Sequence, residues 1–303
     1  MYDIIVIGAG PAGLTAALYA RRADKSVLVI EKETFGGQIT YSPRVENYPG
    51  FLSMSGNEFA ERLLSQVMEQ GGEIELDTVT GISGEPGNFT VHAGTDYSAK
   101  SVIVAAGSKH RQLGLAKENQ LVGEGVSYCA VCDGAFYKGK TVAVIGGGNT
   151  ALQEAVLLSD GCQHVYVVQN LDFLTGEGRL VQEIEKRDNI TVLLSRVVKE
   201  LLGDTSLTGI VTEQPDGTLE TMELDGIFVA IGQQPENEPF STILQLDDNG
   251  YIDAGEDCLP KGAVPGIYTA GDCRTKRIRQ ITTATADGAV AALAACRFVD
   301  ELS

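Results

Sequence analysis

The sequence predicts an α/β protein built from two Rossmann-like, three-layer nucleotide-binding domains, with the second inserted into the first. A glycine-rich turn follows a short apolar run twice, at 8–13 and at 146–151, so the two turns start 146 − 8 = 138 residues apart. That spacing is too long for a solenoid repeat and fits duplicated domains. The chain has 303 residues, which is enough for two domains.

The first unit has the complete order of strand, turn, helix, strand and acid. The apolar run at 2–7 suits a buried parallel strand, and GAGPAG at 8–13 opens an Ala-rich helix. A second apolar run at 26–30 ends at Glu31, 31 − 13 = 18 residues after the last glycine, where an acceptor for a ribose hydroxyl is expected. The glycines expected to allow the tight turn, the approach of a pyrophosphate and the close packing of the helix are Gly8, Gly10 and Gly13.

The second unit repeats this order in the middle of the chain. The apolar run at 141–145 leads into GGGNTA at 146–151, then into a helix that ends near residue 160 and a strand at 165–168. Ala151 stands at the third glycine position, a variant that the fingerprint accepts.

The C-terminal part of the chain predicts the insertion. A short strand at 266–272 ends in an acid and precedes a helix of small residues at 282–298, which is typical of a ligand-site element. It comes after the second unit but fits the first. We therefore expect a split domain, 1–111 plus 239–303, around a central domain at 112–238. Two close crossings between domains form a natural hinge.

The composition is strongly acidic. Acidic residues outnumber basic ones by 41 to 23, which gives a net charge of −18. Nucleic acids and anionic membranes are therefore poor partners for the surface as a whole. No apolar run reaches the ~18 residues of a membrane span, and the chain enters a strand at Tyr2 without a signal-peptide pattern. The sequence predicts a soluble cytoplasmic protein.

The six cysteines fall into two groups. Those that stand alone are expected to be small buried thiols: Cys162, Cys258, Cys273 and Cys296. Cys129 and Cys132 form a C-x-x-C pair, in which one thiolate is stabilised and the other thiol resolves mixed disulfides. No metal is expected, because a structural zinc needs about four ligands and the three histidines have no ligand spacing to this pair.

Several motifs along the chain together resemble the low-molecular-weight thioredoxin reductases. They are GAGPAG at 8–13, GGQ at 36–38, VENYPG at 45–50, CAVCDG at 129–134, GGGNTA at 146–151, and AGD at 270–272 with Arg279-Gln280 downstream. The resemblance covers nearly the whole chain. It implies the class II fold of the FAD-dependent pyridine nucleotide-disulfide oxidoreductases, in a homodimer whose split domain holds FAD. It also implies a redox disulfide on the central domain that reduces thioredoxin.

The resemblance assigns roles at the motif positions. Residues expected to hold the AMP and pyrophosphate half of FAD are Gly8, Gly10, Gly13 and Glu31. Residues expected along the ribityl and flavin half are Gly37, Gln38 and Asn47, with Gln280 and Ile281 at the flavin ring. Asp272 is expected to receive ribityl or phosphate-side contacts. Further residues expected to bind the cofactor are Pro11, Ala12, Lys32, Val79, Ala106, Gly107, Gly271 and Arg279.

The same resemblance assigns the redox chemistry. Cys132 is expected to face the flavin and receive its electrons, and Cys129 to attack the disulfide of the partner. Asp133 is expected to be the acid that protonates or deprotonates the thiol during exchange.

The second unit departs from the family where NADPH is bound. NADPH-using members carry His-Arg-Arg at the end of the second strand, where this chain has Gln169, Asn170 and Leu171. No Lys or Arg lies between Lys140 and Arg179 in the sequence. Charge-assisted hydrogen bonds contribute about 1.5–3 kcal/mol each, so losing two or three weakens NADPH binding on the order of a thousandfold or more. NADH normally requires an acid at the strand end, and here the residues are neutral.

A branch of the family, the ferredoxin-linked flavin thioredoxin reductases, lacks the nicotinamide-binding residues, and this sequence is similar to that branch. Reduced ferredoxin is therefore the expected electron donor. Ferredoxins are typically acidic, so an acidic enzyme needs a basic patch to dock one. The predicted patch consists of Arg274, Lys276, Arg277 and Arg279.

Three other functions fit the same motifs. One is an NADH- or NADPH-dependent thioredoxin reductase with atypical nucleotide recognition. Another is a flavin dithiol oxidase that passes electrons to oxygen, although Cys-x-x-Cys-Asp-Gly follows the reductase version. The last is a flavin-dependent redox sensor, against which the intact cysteine pair argues.

Overall fold

The computed structural model describes residues 1–42 and 44–302. The chain forms two compact units, one of Met1–Lys109 with Gln234–Ser303 and one of His110–Gln233. The central unit therefore ends before residue 238, the expected boundary. The reason is local: the Asn237 side chain donates hydrogen bonds to carbonyl oxygens of the first unit, those of Gly250 and Cys273.

The helices and strands follow in chain order. Up to the first crossing they are β1 (Tyr2–Ile7), α1 (Pro11–Arg22), β2 (Val27–Glu31), α2 (Gly56–Glu69), β3 (Glu73–Leu76), β4 (Gly81–Glu85), β5 (Asn88–His92), β6 (Tyr97–Val104) and β7 (Ser108–His110). The middle of the chain contains β8 (Val126–Ser127), α3 (Ala130–Asp133), β9 (Thr141–Ile145), α4 (Asn149–Ser159), β10 (His164–Val168), α5 (Gly178–Glu185), β11 (Ile190–Leu193), β12 (Val197–Leu202), β13 (Gly209–Glu213), β14 (Leu219–Glu223), β15 (Gly226–Val229) and β16 (Gln233–Pro235). The C-terminal part adds β17 (Ile267–Thr269) and α6 (Ile281–Glu301).

The main sheet of the first unit has the order β3-β2-β1-β6-β5-β4, with β17 also paired to β6. Strands β3, β2, β1, β6 and β17 run parallel, and β5 and β4 are antiparallel additions. The carboxyl ends of the parallel strands therefore meet at one edge, which is where open α/β sheets bind ligands. Gly8, Lys32, Ala105 and Ala270 directly follow β1, β2, β6 and β17 at this edge.

Both faces of this sheet are buried, which explains the continuous apolar run of β1. Ile4 and Val6 pack in the cluster formed by α1 and α6, while Ile5 and Ile7 pack with Phe89 on the other face. A parallel strand covered on both faces has no polar side to alternate with.

The central unit also has three layers. Its sheet has the order β11-β10-β9-β15-β8 with all neighbours parallel, and β12, β13 and β14 form a separate antiparallel sheet. Val142 and Val144 pack with Leu152 of α4, whereas Ala143 packs with Ile210 of the antiparallel sheet. The predicted fold class, two Rossmann-like three-layer domains, is confirmed.

The four isolated cysteines are free and buried, as expected: Cys162, Cys258, Cys273 and Cys296. Within the described residues, no helix combines the length and the apolar character that a membrane crossing requires.

Candidate active site

The first glycine turn places the backbone where no side chain fits. Gly8 has φ +104°, and a Cβ there would overlap the carbonyl oxygen of Ala105. A Cβ on Gly13 would overlap the carbonyl oxygen of Gly8, so α1 packs directly on the turn. Helix α1 begins at Pro11, and no side chain caps its first N–H groups. These free N–H groups suit an anionic group such as a pyrophosphate.

A second close approach lies in front of this helix. Gly37 has φ +60°, and a Cβ on it would lie 3.3 Å from the Cα of Gly10. The Gly36 N–H donates to the carbonyl oxygen of Ala9 at 2.8 Å and holds the two segments together. Gln38 follows in the short 3-10 helix Gly37–Tyr41. Gly10 and Gly37 therefore face each other with backbone atoms alone.

Glu31 is buried at the end of β2 and binds the backbone around it. Its Oε2 accepts from the N–H of Ala9 at 2.8 Å, and its Oε1 accepts from the N–H groups of Lys32 and Glu33, both at 2.9 Å. The carboxylate thus links the glycine turn to the second strand. The Lys32 ammonium pairs with Glu236 at 2.5 Å.

Asp272 contributes a buried carboxyl group to the same edge of the sheet. Gly271 has φ +80°, and a Cβ there would clash with the Cβ of Ala12 on α1 at 2.7 Å, so this turn touches the first turn of the helix. Within the described residues, Asp272 Oδ1 is buried without a hydrogen-bond partner. Burial raises the pKa of Asp272 to about 6, although Lys276 and Arg279 oppose the shift. An unpartnered carboxyl oxygen of this kind requires a donor such as a sugar or ribityl hydroxyl.

The start of α6 joins another set of predicted residues. The Asn47 side chain donates to Gln280 Oε1 at 3.2 Å, and Gln280 caps α6 in a capping box with Thr283. Ile281 is the first residue of that helix. Ala106 and Gly107 follow β6, and Val79 is buried after β3. Every residue predicted to bind the cofactor lies in the first unit.

The predicted basic docking patch is wrong for Arg274 and Lys276. The Arg274 side chain is 1% exposed and that of Lys276 is 4% exposed, because both bind the carboxylate of Asp287 on α6. Arg279 lies half-buried with its guanidinium 4.3 Å from the ring centre of Tyr251. Of the four predicted cations, only Arg277 is exposed. The four cations are clustered in the sequence. Asp287, which buries two of them, lies eight or more residues further on.

The cysteine pair of the central unit forms a disulfide, with 5.3 Å between the Cα atoms. Cys129 is the N-cap residue of the short helix α3, and its Sγ accepts from the N–H of Cys132 at 3.2 Å. Val131, between the cysteines, is 59% exposed.

Asp133 closes the same helix with a buried carboxyl group. Its Oδ2 accepts from the Ser127 hydroxyl at 2.6 Å, and its Oδ1 is buried with no partner among the described residues. The Ser127 oxygen in turn accepts from the N–H of Cys129 at 3.1 Å. Burial raises the pKa of Asp133 above its ordinary value. A carboxyl group with a raised pKa beside a cysteine pair is suited to hold and release a proton.

The structure adds two carboxyl groups that we did not predict. Glu118 accepts from the N–H groups of Leu113 and Gly114, both at 2.8 Å, and from the hydroxyl of Tyr128, which precedes Cys129. Glu154 of α4 accepts from the N–H of Ala130 at 3.3 Å. A sequence signal existed for Glu154, because it lies among the buried apolar positions of α4, three residues after Ala151.

The second glycine turn has the geometry of the first. Gly146 has φ +133°, and a Cβ there would lie 2.5 Å from the carbonyl oxygen of Ala230. Gln169, at the end of β10, is buried under the turn, so a Cβ on Gly147 would lie 2.6 Å from its amide. The Gln169 amide donates to the carbonyl oxygen of Phe173 and accepts from the N–H of Asn170. The Gln169 side chain therefore stabilises the turn that follows β10.

An acid and not a cation lies at the start of α4. The Glu177 N–H donates to Asn149 Oδ1 at 2.7 Å, and the Asn149 side chain donates back to the Glu177 carboxylate. Arg179 pairs with that carboxylate at 3.4 Å. Arg196 was not predicted to lie at this turn; its N–H donates to the carbonyl oxygen of Gln169, and its guanidinium binds Glu220. Arg179 and Arg196 therefore each have an acidic partner, and the Arg179 side chain stays 75% exposed.

Two dinucleotide-type glycine turns and a disulfide on the central unit define the class of the disulfide oxidoreductases. Comparison with known proteins agrees, because the sequence profile of the family "Pyridine nucleotide-disulphide oxidoreductase" matches residues 2–288.

Curated relatives narrow the class. Thioredoxin reductase from Listeria monocytogenes is 40% identical over 100% of this chain and 95% of its own length, and that from Bacillus subtilis is 39% identical over 100% and 96%. The crystal structure of thioredoxin reductase from Streptococcus pyogenes superposes with a TM-score of 0.95 at 35% identity, covering 99% of both chains. The chain belongs to the thioredoxin reductase family of pyridine nucleotide-disulphide oxidoreductases.

This family uses FAD as its cofactor. The first unit fits that group in two respects: its glycine backbone surface would be filled by any Cβ on Gly37, and Asp272 Oδ1 needs a hydroxyl donor.

Proposed function

We propose that the chain reduces the disulfide of thioredoxin through Cys129 and Cys132, with electrons from reduced ferredoxin. The observation that carries the reductase part is the disulfide on α3 with the buried carboxyl of Asp133 at its end. Bound FAD supplies the redox relay between the electron donor and this disulfide. The residues proposed to hold it are those of the first glycine turn, Gly37, Asn47, Asp272 and Gln280.

The chain's own residues perform the exchange. Two electrons and two protons convert the Cys129–Cys132 disulfide into two thiols. Cys129 then attacks the thioredoxin disulfide as a thiolate, and Cys132 attacks the mixed disulfide that results, which restores the enzyme disulfide and releases thioredoxin as a dithiol. Asp133 takes the proton of the attacking thiol and returns it to the leaving thiolate.

The electrostatics of the pair favour a reductase over a dithiol oxidase. The side chains that hydrogen-bond to residues 127–133 are Ser127, Asp133, Glu118, Glu154 and Gln112, together with the sulfur of Cys129. None of these is a cation. A cation would stabilise the thiolate and make the disulfide more oxidising, as in strongly oxidising pairs with a low thiol pKa. Buried carboxyls oppose the thiolate, which supports a reducing dithiol.

The second unit supports the choice of electron donor. A 2′-phosphate carries close to two negative charges and needs cations where Gln169 is buried and Asn170 and Leu171 are exposed. Arg179 and Arg196, which lie on segments that contact this turn, each pair with an acid. Ferredoxin docking on Arg274 and Lys276 is not part of this proposal, because both are buried.

A nicotinamide-dependent reductase is the second candidate. It is favoured by the second glycine turn, whose Gly146 keeps φ +133° and whose helix α4 still begins beside it.

We also propose that the chain forms a homodimer, which sedimentation velocity tests separately.

The reductase proposal is tested by thioredoxin turnover, with reduced ferredoxin, NADPH or NADH as the single donor. Cys132→Ser is expected to leave the flavin reducible and to stop turnover. The matched control is Cys162→Ser, a free cysteine of the same unit, which is expected to retain turnover. Normal turnover in Cys132→Ser refutes the proposed relay, and oxygen consumption driven by a small dithiol supports the oxidase instead.

A further inference from the structure

Glu154 is a buried carboxyl group that the exchange steps above do not use. It lies on α4, whose neighbouring positions Leu152, Ala155 and Leu158 are buried in the core of the central unit. Its Oε1 accepts from the N–H of Ala130, and its Oε2 is buried with no hydrogen-bond partner among the described residues. A charged side chain at such a position is costly, so its retention calls for a role.

Ala130 connects this carboxyl to the redox pair. It directly follows Cys129 and is the first residue of α3, a helix of only four residues. So short a helix is not stable by itself and depends on the groups that bind its ends. Asp133 binds at the other end through Ser127. The cysteine pair is therefore held between two buried carboxyl groups, each with one oxygen bonded and one oxygen unpartnered.

The ionisation of Glu154 bears on the sulfur chemistry. Burial raises the pKa of Glu154 to about 7, and the Ala130 N–H only partly opposes this shift. Below that pH the carboxyl is neutral, and above it a carboxylate accepts from the N–H of the residue that follows Cys129. A negative charge beside a thiol raises the pKa of that thiol.

Other titratable groups lie on the elements around α4. Those on α3, β10 and α5 and at the two ends of α4 are Asp133, His164, Tyr166, Arg179, Glu183, Glu185, Glu177, Asp160 and Arg187, and β9 has none. Asp160 and Glu183 bind Arg187, Glu177 binds Arg179, and His164 binds Thr191. Asp133 is therefore the second carboxyl group, besides Glu154, at the Cys129–Cys132 pair.

We propose that Glu154 is a positioning residue for the redox pair: through the N–H of Ala130 it fixes the turn that carries Cys129, and its charge controls how readily the Cys129 thiolate forms. The inference rests on the proposed function only in that Cys129 and Cys132 are the redox pair. No bond to Glu154 forms or breaks. The disulfide still takes two electrons and two protons to become two thiols.

The test compares three variants of the holoenzyme, with the pair reduced by dithiothreitol and the excess reductant removed. Glu154→Gln keeps an oxygen that accepts from Ala130 but cannot become charged. Its most reactive thiol is expected to react with iodoacetamide about tenfold faster than wild type at pH 8, and at the wild-type rate at pH 6, since one pKa unit is a tenfold change in thiolate. Glu154→Ala loses the acceptor as well, so its iodoacetamide rates at pH 6 and pH 8 are expected to differ from those of both wild type and Glu154→Gln. Gln153→Ala, the exposed neighbour on α4, is the control and is expected to match wild type.

A wild-type pH profile for Glu154→Gln overturns the proposal. A second measurement does not depend on any variant. The ionisation of Glu154 is followed by infrared or carbon NMR spectroscopy of the labelled wild-type holoenzyme, with the pair oxidised and then reduced. Because coupling is reciprocal, the pKa of Glu154 must be higher when Cys129 is a thiolate than in the disulfide. An unchanged pKa overturns the proposal. Neither measurement uses thioredoxin, ferredoxin or a nucleotide, so failure of the proposed function would not change the outcome of this test of Glu154.

Discussion

The carboxylate of Asp287 on α6 accepts two hydrogen bonds from the guanidinium of Arg274, at 3.0 and 2.9 Å, and both side chains are buried. The same carboxylate accepts from the Lys276 ammonium and from the N–H of Gly271, each at 2.9 Å. Burial alone would raise the pKa of Asp287, but Arg274 and Lys276 hold it below its ordinary value. Because Gly271 precedes Asp272, this ion-pair cluster fixes the turn that carries the unpartnered Asp272 oxygen.

Asp287→Asn is expected to destabilise the first unit. The substitution removes the buried counter-charge of two buried cations and leaves Arg274 only the exposed carboxylate of Glu256, at 3.5 Å. Breaking a buried pair from one side costs about 3–5 kcal/mol. Urea denaturation followed by circular dichroism measures the loss. Asp300→Asn, which breaks the exposed pair with Lys25, is the control and is expected to cost less than about 1 kcal/mol. An equal, small loss in both variants would show that the buried cluster does not stabilise the unit.

Gly37→Ala is expected to weaken FAD binding at least tenfold. Alanine at φ +60° costs about 1–2 kcal/mol of backbone energy, and its Cβ would lie 3.3 Å from Gly10 Cα in the space proposed for the cofactor. Release of flavin fluorescence on dilution measures the affinity. Gly178→Ala is the control, since a Cβ there meets nothing within 4 Å. Unchanged flavin retention in Gly37→Ala would remove this residue from the proposed site.

Asp133→Asn is expected to slow thioredoxin reduction about 100-fold or more, the usual range for loss of a general acid, while flavin reduction by the donor is unchanged. Burial raises the pKa of Asp133, so the acid form persists above the usual carboxyl range and is lost as the pH rises through that raised value. The wild-type rate of the acid-dependent step should therefore fall with rising pH, and the variant should lack that limb. Rapid-mixing kinetics from pH 5 to pH 9 measure both. Retention of the limb in Asp133→Asn would assign it to another group.

Asn170→Arg combined with Leu171→Arg is expected to create NADPH use. Both positions are exposed beyond the end of β10, so the substitutions should not disturb the core. Two charge-assisted hydrogen bonds to the 2′-phosphate would raise the NADPH affinity at least tenfold without raising that for NADH. Asn170→Gln with Leu171→Gln serves as the uncharged control. Equal gains for both nucleotides would mean that the missing cations do not explain nucleotide choice.

The sequence was sufficient for the fold and for the residues that follow parallel strands. Gly8, Glu31 and Asp272 could be placed because a short apolar run ending in a glycine or an acid identifies the carboxyl edge of a sheet. The antiparallel additions β4, β5 and β12 to β14 were not predicted. Phe89 and Val91 of β5 are buried, but they alternate with polar residues in a strand of five residues, so the apolar signal is weaker than in the continuous run of β1.

The missed features all depend on residues distant in sequence. Arg274 and Lys276 were taken as surface cations because Asp287, which buries them, comes from the following helix. Glu154 meets Ala130 across 24 residues, and Arg196 meets Gln169 across 27. Sequence spacing within one element cannot identify such partners, whereas packing of one element on another determines them.

We propose that reducing power reaches this flavin from a protein carrier and not from NADPH. The most direct measurement is the anaerobic flavin spectrum of the oxidised holoenzyme after rapid mixing with excess NADPH, NADH or reduced ferredoxin, with no thioredoxin present. We expect reduced ferredoxin to bleach the visible flavin band and neither nucleotide to do so within a turnover time. Prompt bleaching by NADPH would contradict the account.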